Sequence, residues 1–353
     1  MNILMPMCGD VLYSVSDEYQ YPRILTELNG KTLLELSLKS FSDMKRNSNF
    51  LFAVPSTKNK ELGLADICRV ATAGKGSVYE IQGPTAGALC TCLLACDSID
   101  HDSPLIISSA DQVIQDDIDQ CLDYFTDQLA DAGVLTFESV HPKWSYIQMD
   151  VNGNVVQVSE KKVVSNNALA GFFYFKRAGD FFESAKNVIR KQGHNEGQYY
   201  ISAVLNDFIL KGKKVAAHAL NKEYYNFYDV HAIKKFERDS KSECEVLREL
   251  TNKYCSAFQN KDLDRVIEMF CDNADLVDPS VSLTGVGKIR EYISDLFASI
   301  ERLDFDIKSI SSGLHHSVIE FVLILNDKSF RGTDIIRWKG GLISSLNAYL
   351  YEI

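Results

Sequence analysis

The chain contains no run of about eighteen apolar residues, so a membrane-spanning helix is not expected. Met1-Asn2 leads directly into a strand-like segment, without a basic stretch, an apolar run and a cleavage site. A cytoplasmic location is therefore expected. Positive charge is scarce: 37 Lys and Arg stand against 48 Asp and Glu, a net of −11. That balance argues against a broad nucleic-acid surface and leaves any anionic ligand to a few local cations, such as Arg23, Lys31, Lys161 and Lys162. None of the nine cysteines forms a C-x-x-C pair, which predicts small buried thiols in a reducing compartment. The seven histidines make no metal set, and His315-His316 is expected at a strand end or turn. Repeats and low-complexity tracts are absent from the sequence.

What is present suits two domains, since 353 residues with 46% hydrophobic content exceed one ordinary core. From Met1 to about Arg238, short apolar runs alternate with helical patterns, predicting a mostly parallel sheet covered on both faces. The expected strands are Ile3 to Met7, Phe50 to Val54, Val78 to Ile81, Leu105 to Ser108 and Val134 to Phe137. Helical spacing marks Thr32 to Phe41, Leu62 to Val70, Ala88 to Cys96 and Ile118 to Leu129, and Asn152-Gly153 signals a tight hairpin within Tyr146 to Val158. The polar stretch Glu237 to Glu243 separates two patterns, so the domains are placed at 1–238 and 243–353. In the second, helices come first (Val246 to Gln259, Leu263 to Phe270, Ile289 to Phe297), then strands (Phe305 to Ile310, Val318 to Leu325, Ser329 to Trp338, Ile343 to Leu350). This order predicts an α+β domain with a curved antiparallel sheet.

Gly9 ends the first apolar run, and Tyr21-Pro22-Arg23 returns a basic residue to that loop before Leu28-Asn29-Gly30-Lys31 enters a helix. Such a loop opens a nucleotide pocket at the carboxyl end of a first strand. Asp111 follows the run Leu105 to Ala110 and falls on the same rim, where a carboxylate can hold magnesium or simply cap a turn. In Gln82-Gly83-Pro-Thr85-Ala86-Gly87-Ala88, small residues let a base or ribose approach the backbone; the same pattern also serves a plain strand-to-helix turn. Lys161 can clamp a substrate phosphate while Glu160 accepts from a hydroxyl, or both can be a solvated strand end.

Together with Ser165-Asn166, Ala170-Gly171-Phe-Phe-Tyr-Phe175 and Glu196-Gly-Gln-Tyr-Tyr200, these segments resemble the sugar-phosphate nucleotidyltransferases over Met1 to about Phe236. The resemblance implies a Rossmann-like (GT-A-like) α/β domain, a Mg2+ cofactor, and the joining of a nucleoside triphosphate to a phosphorylated sugar or small alcohol with release of pyrophosphate. It further implies a role in capsule or surface-polysaccharide precursor synthesis. By position, Gly9 would pass close to the nucleotide, Gly87 would face the base, and Asp111, with Asp229 in second place, would bind metal. Arg23 and Lys161 would be the catalytic cations, and Glu160, Lys161 and Gly171 would meet the acceptor. The chain departs from the family where a triphosphate-gripping arginine is usual and Tyr13 stands, where Arg23 replaces lysine, and where Ala86 replaces glutamine. A nucleotide- or sugar-binding scaffold without turnover is the alternative. A glycosyltransferase is disfavoured, because no Asp-x-Asp pair follows Leu105 to Ser109.

From about Cys244 to Ile353 the chain looks like the cone-shaped nuclear-transport-factor-like (NTF2-like), SnoaL-like and ketosteroid-isomerase fold. The resemblance matches Asp278 to the isomerase base and Tyr254 with Asp334 to its oxyanion-hole pair, and implies a carboxylate that moves a proton beside a carbonyl while a tyrosine and a protonated aspartate donate to the developing enolate. Alternation through Thr333 to Trp338 leaves open whether Asp334 faces outward. A homodimer through this domain is expected, with a bifunctional protein as the other possibility.

Overall fold

Ile3, Leu4 and Met5 are fully buried in β1 (Asn2–Pro6), which lies inside its sheet rather than at an edge. The computed structural model describes residues 1–15, 21–151 and 153–353, so Asn152 of the expected hairpin turn lies outside the described residues. Two compact units are distinguished, Met1–Ile233 and Lys234–Ile353.

In the first unit, β2 (Glu27–Leu28) and β3 (Lys31–Thr32) pair across Asn29 and Gly30, whose φ angles of 52° and 75° an Asn-Gly pair accommodates well. Thr32 then caps α1 (Leu33–Lys39) in a reciprocal box with Glu35. There follow β4 (Asn49–Pro55), α2 (Ser56–Leu62), α3 (Leu64–Ala71), β5 (Gly76–Ile81), α4 (Ala88–Leu94), β6 (Leu105–Ser108), β7 (Gln112–Ile114), α5 (Ile118–Asp127), β8 (Ala132–Glu138), β9 (Tyr146–Met149), β10 (Val155–Ser159), β11 (Asn167–Phe175), α6 (Ala178–Arg190), α7 (Ser202–Leu210), β12 (Val215–Ala219) and β13 (Tyr224–Asn226). The helix expected over Leu62 to Val70 is two helices, because Gly63 at φ 67° closes α2 before α3 begins.

β1 pairs in parallel with β4 and β6, and β4 with β5, as the alternating pattern predicts. The antiparallel β11 is inserted between β6 and β8. Ile3 and Met5 point into one apolar cluster and Leu4 into another, so both faces of the sheet are covered. Parallel pairing brings the carboxyl ends of β1 and β6 to one rim, and the segments carrying Gly9 and Asp111 emerge there.

The second unit takes most of α8 (Val230–Gln259), and the polar stretch Glu237 to Glu243 is helical within it. After α9 (Leu263–Glu268), β14 (Phe270–Val277), β15 (Ser282–Thr284) and α10 (Val286–Ser299) come β16 (Leu303–Ser312), β17 (His316–Leu325), β18 (Lys328–Lys339) and β19 (Leu342–Glu352). The six strands run in the order β15-β14-β19-β18-β17-β16, packed by apolar residues of α8, α9 and α10. β14 and β15 are additions to the expected set, since Asp272, Asn273 and Asp275 interrupt the apolar alternation that marks a strand. His316 opens β17, as expected.

All nine cysteines are unpaired, but only Cys68, Cys92, Cys121 and Cys255 are buried; the other five are partly exposed, which corrects the expectation of uniformly buried thiols. Among the described residues no helix is long and apolar enough to cross a membrane.

Candidate active site

Past β1 the Met7 N–H still bonds to the Ala53 carbonyl at 2.8 Å, and the chain then leaves the sheet. Gly9 is exposed, and a side chain there would meet nothing within 4 Å, so its backbone is open to a ligand. Its φ of −75° is one any residue adopts; the open space, not strain, distinguishes it. A 3-10 turn over Asp10–Tyr13 follows. Tyr13 is 8% exposed and packs among Leu12, Ile24 and Val54, and its hydroxyl donates to the Met7 carbonyl at 2.8 Å. Burial pushes that hydroxyl well above the ordinary tyrosine range. Tyr13 therefore braces the loop from below and offers nothing to a phosphate. The Arg23 N–H meets the Ser14 carbonyl at 3.0 Å, and its guanidinium donates to the Tyr228 carbonyl.

Asp111 sits half-buried just past β6, its carbonyl accepting from the Phe227 N–H at 2.7 Å. Burial raises its carboxyl pKa, while its own N–H and the charge of Arg23 pull the other way. Arg23 and Asp111 are thus electrostatic neighbours. Gln112, passed over in the sequence, organises the adjoining floor. Its amide nitrogen donates to the Ser108 hydroxyl and the Gly171 carbonyl at 3.1 and 2.8 Å. Its amide oxygen accepts from the Gly171 N–H at 3.0 Å and the Tyr224 hydroxyl at 2.8 Å. A side chain at Gly171 would start 2.5 Å from the Ser109 hydroxyl and 2.7 Å from the Gln112 oxygen, so glycine is needed for this clamp.

The β7–β13 pairing continues toward Asp229. One Asp229 oxygen accepts from the Ala232 N–H at 2.8 Å and the other lies 3.7 Å from the Lys143 ammonium. The Ala232 N–H first, and Lys143 next among the cations, hold this carboxyl below its usual range. Lys143 also lies 4.7 Å from the Trp144 ring centre, and Trp144, Phe137 and Tyr224 pack edge to face and tilted at 4.6 to 6.3 Å. Neither Lys143 nor this aromatic group was singled out in the sequence. A tryptophan in the loop before the hairpin was the available signal.

Gly87 has φ 110°, and a Cβ there would lie 2.5 Å from the Tyr199 carbonyl oxygen. Its glycine is explained by close approach to the Glu196–Tyr200 segment, which Ala86 and Leu89 bond on either side of Tyr199. Glu160 accepts from the hydroxyls of Ser145 and Ser202, the latter at 2.8 Å. Lys161, at φ 52°, projects to within 5.4 Å of the Tyr200 ring centre; a hydrogen bond with the Tyr200 hydroxyl holds its ammonium above the usual lysine range. Tyr199 and Tyr200 thereby join the Gly87 and Lys161 motifs, which lie far apart in sequence.

In the second unit Asp334 faces inward and is 5% exposed; one carboxyl oxygen has no hydrogen-bond partner among the described residues. Burial first, then the charge of Asp278, pushes its pKa up to about 7. Tyr254 is buried beside it, its own ionisation pushed up by burial and by Asp334. Asp278 differs: burial raises its carboxyl, but donation from the Tyr292 and Ser280 hydroxyls and the Ser280 and Val281 N–H groups more than offsets that.

A mostly parallel sheet with an open glycine loop, an arginine and a half-buried carboxylate at its carboxyl rim defines an α/β nucleotide-binding fold of the Rossmann-like class. Residues 18–242 match the model of the nucleotidyl transferase family, and the chain belongs to that family; it is a nucleotidyltransferase. Residues 251–346 match the SnoaL-like domain, in keeping with the helices and six-stranded sheet of the second unit. No curated protein matches in sequence. Among solved structures, the nucleoside-diphosphate-sugar pyrophosphorylase of Vibrio cholerae RC9 is 22% identical over 67% of this chain and 100% of its own, with a TM-score of 0.57. A UDP-glucose pyrophosphorylase complexed with UDP-glucose is 14% identical over 68% and 98%, with 0.56. The inositol-1-phosphate CTP transferase from T. maritima is 13% identical over 67% and 93%, with 0.53. At these identities the likeness is one of fold.

Proposed function

We propose that the protein joins a nucleoside triphosphate to a sugar phosphate or small phosphorylated alcohol and releases pyrophosphate, supplying precursors for surface polysaccharide in a reducing, cytoplasmic setting. The observation that carries this reading is the half-buried Asp111 carboxylate beside Arg23 on the rim that Gly9 leaves open. An oxygen of the acceptor phosphate attacks the α-phosphorus in line as the bond to the pyrophosphate leaving group breaks. Arg23 faces the nucleotide phosphates, Lys161 the acceptor phosphate, and Glu160, oriented by Ser145 and Ser202, accepts from an acceptor hydroxyl. The Gln112 clamp fixes the floor at Gly171, which suits a reaction that depends on positioning.

No group of three or more His, Cys, Asp or Glu able to hold a metal occurs among the described residues. Magnesium fits nonetheless, since it takes few protein oxygens and completes its shell with phosphate and water. Asp111 would hold it, and it would neutralise phosphate charge. Asp229 already has one oxygen taken by the Ala232 N–H and makes a weaker candidate. Pyrophosphate release from mixtures of nucleoside triphosphates, magnesium and candidate phosphates tests the reading. Asp111→Asn is expected to lower turnover by about a hundredfold or more; undiminished turnover would reject it, and binding without turnover would favour the scaffold alternative.

Two readings concern the second unit. Tyr349 and Tyr351, each about 60% exposed, share one face of β19, and the equally exposed Ile353 follows directly; they support a homodimer through this sheet. Light scattering of a Tyr349→Asp, Tyr351→Asp chain should show a halved mass; an unchanged dimer would exclude that face. The unpartnered, inward Asp334 supports an acid–base pocket with Tyr254 and Asp278. Hydrogen exchange beside the carbonyl in a panel of ketones, abolished by Asp278→Ala, would support it, and no exchange with the parent chain would reject it.

A further inference from the structure

Arg23 and Lys143 converge on one dipeptide: Arg23 bonds the Tyr228 carbonyl, and Lys143 pairs with Asp229. The preceding Phe227 N–H bonds to Asp111, so both cations stand at the rim where phosphate transfer is placed. We infer that Lys143 is a parked phosphate-binding residue, held over Trp144 and against Asp229 until a substrate phosphate draws it off, and that it supplies charge which Tyr13 does not.

The proposal rests on the nucleotidyl-transfer reading and adds a residue to it. Three features support the movement. The ion pair is long, at 3.7 Å, and its side chains are 36% and 48% exposed, so water screens it and it holds Lys143 loosely. Asp229 does not need the ammonium, because the Ala232 N–H already satisfies one of its oxygens. The cation over the Trp144 face is likewise a weak, exposed contact. A phosphate dianion offers more charge than this carboxylate, and a flexible lysine stem lets the ammonium turn toward it. The loop bearing Lys143 is anchored next door, where Ser145 donates to Glu160, so the ammonium need only swing about its own stem.

The shared chemistry is a phosphate oxygen, which either the nucleotide or the acceptor can bring. The test titrates the full-length protein and its Lys143→Met and Lys143→Arg variants, separately, with magnesium pyrophosphate and with glucose 1-phosphate. Affinity is read by calorimetry and Lys143 displacement by tryptophan emission, with Trp144→Phe as the control. In the parent chain, binding should change the emission of Trp144 as the ammonium leaves its ring. Lys143→Met should weaken one probe by about ten- to a hundredfold and abolish the emission change, with an unaltered melting temperature. Lys143→Arg should restore most of the affinity. Loss for pyrophosphate assigns the residue to the nucleotide, and loss for glucose 1-phosphate assigns it to the acceptor. Equal affinities in parent and Lys143→Met would overturn the inference alone, as would an emission change that survives the substitution. Failure of the parent chain to bind either probe would bring down the nucleotidyl-transfer reading and this inference together.

Discussion

Tyr13 stands where a phosphate-gripping side chain would be expected, and its ring is instead part of the wall beneath the loop. The hydrogen bond from its hydroxyl to the Met7 carbonyl is buried, so Tyr13→Phe should cost about 1 kcal/mol and leave ligand binding unchanged. Tyr13→Arg should not restore a phosphate clamp. The guanidinium would be forced against Leu12 and Ile24, and a loss on the order of 3 kcal/mol is expected. Urea unfolding with pyrophosphate titration checks both variants; tighter binding by Tyr13→Arg at undiminished stability would show that the side chain turns outward.

At the scale of single elements, β18 carries the most consequential buried group. Burial pushes the Asp334 carboxyl from the ordinary 3.8 of an exposed aspartate up to about 7 in the folded chain. Across that interval the folded state keeps a proton that the unfolded state has lost. Stability from this residue is therefore full below about pH 4 and declines as pH rises to about 7. Asp334→Asn should flatten that slope and raise stability above neutrality, as followed by Trp338 fluorescence during urea unfolding in a Trp144→Phe background. An unchanged slope would mean that the carboxyl is solvated. The inward orientation of Asp334 was not legible beforehand, because alternation fixes two faces without saying which one the helices cover. The parallel strands β1, β4 and β6 were legible, since buried strands read as continuous apolar runs. β14 was hidden by its acidic residues, and the Gln112 clamp by the fact that its partners Gly171 and Tyr224 are distant in sequence. Asp111 could be singled out because its place after an apolar strand is itself the signal; Lys143 could not, because its contacts with Trp144 and Asp229 belong only to the folded chain.

On the scale of the whole molecule, the two matched regions, 18–242 and 251–346, differ in architecture: one is a sheet with an open rim, the other a helix-packed sheet that is antiparallel except where β14 joins β19. The net charge of −11 belongs to the entire chain and sets the field that an incoming anion meets. Because Tyr13 is turned into the core, it adds no charge to that of Arg23 and Lys143 at the mouth of the first unit, and the long-range field stays that of the net charge. A nucleoside triphosphate must then approach against net repulsion, which salt screens with a Debye length of about 10 Å at 0.1 M. Stopped-flow association rates should accordingly rise with ionic strength from about 0.01 to 0.1 M. A rate that falls over this range would reveal an attractive mouth. The inward turn of one tyrosine thus leaves the protein's net charge to set how its encounter with its nucleotide responds to the salt around it.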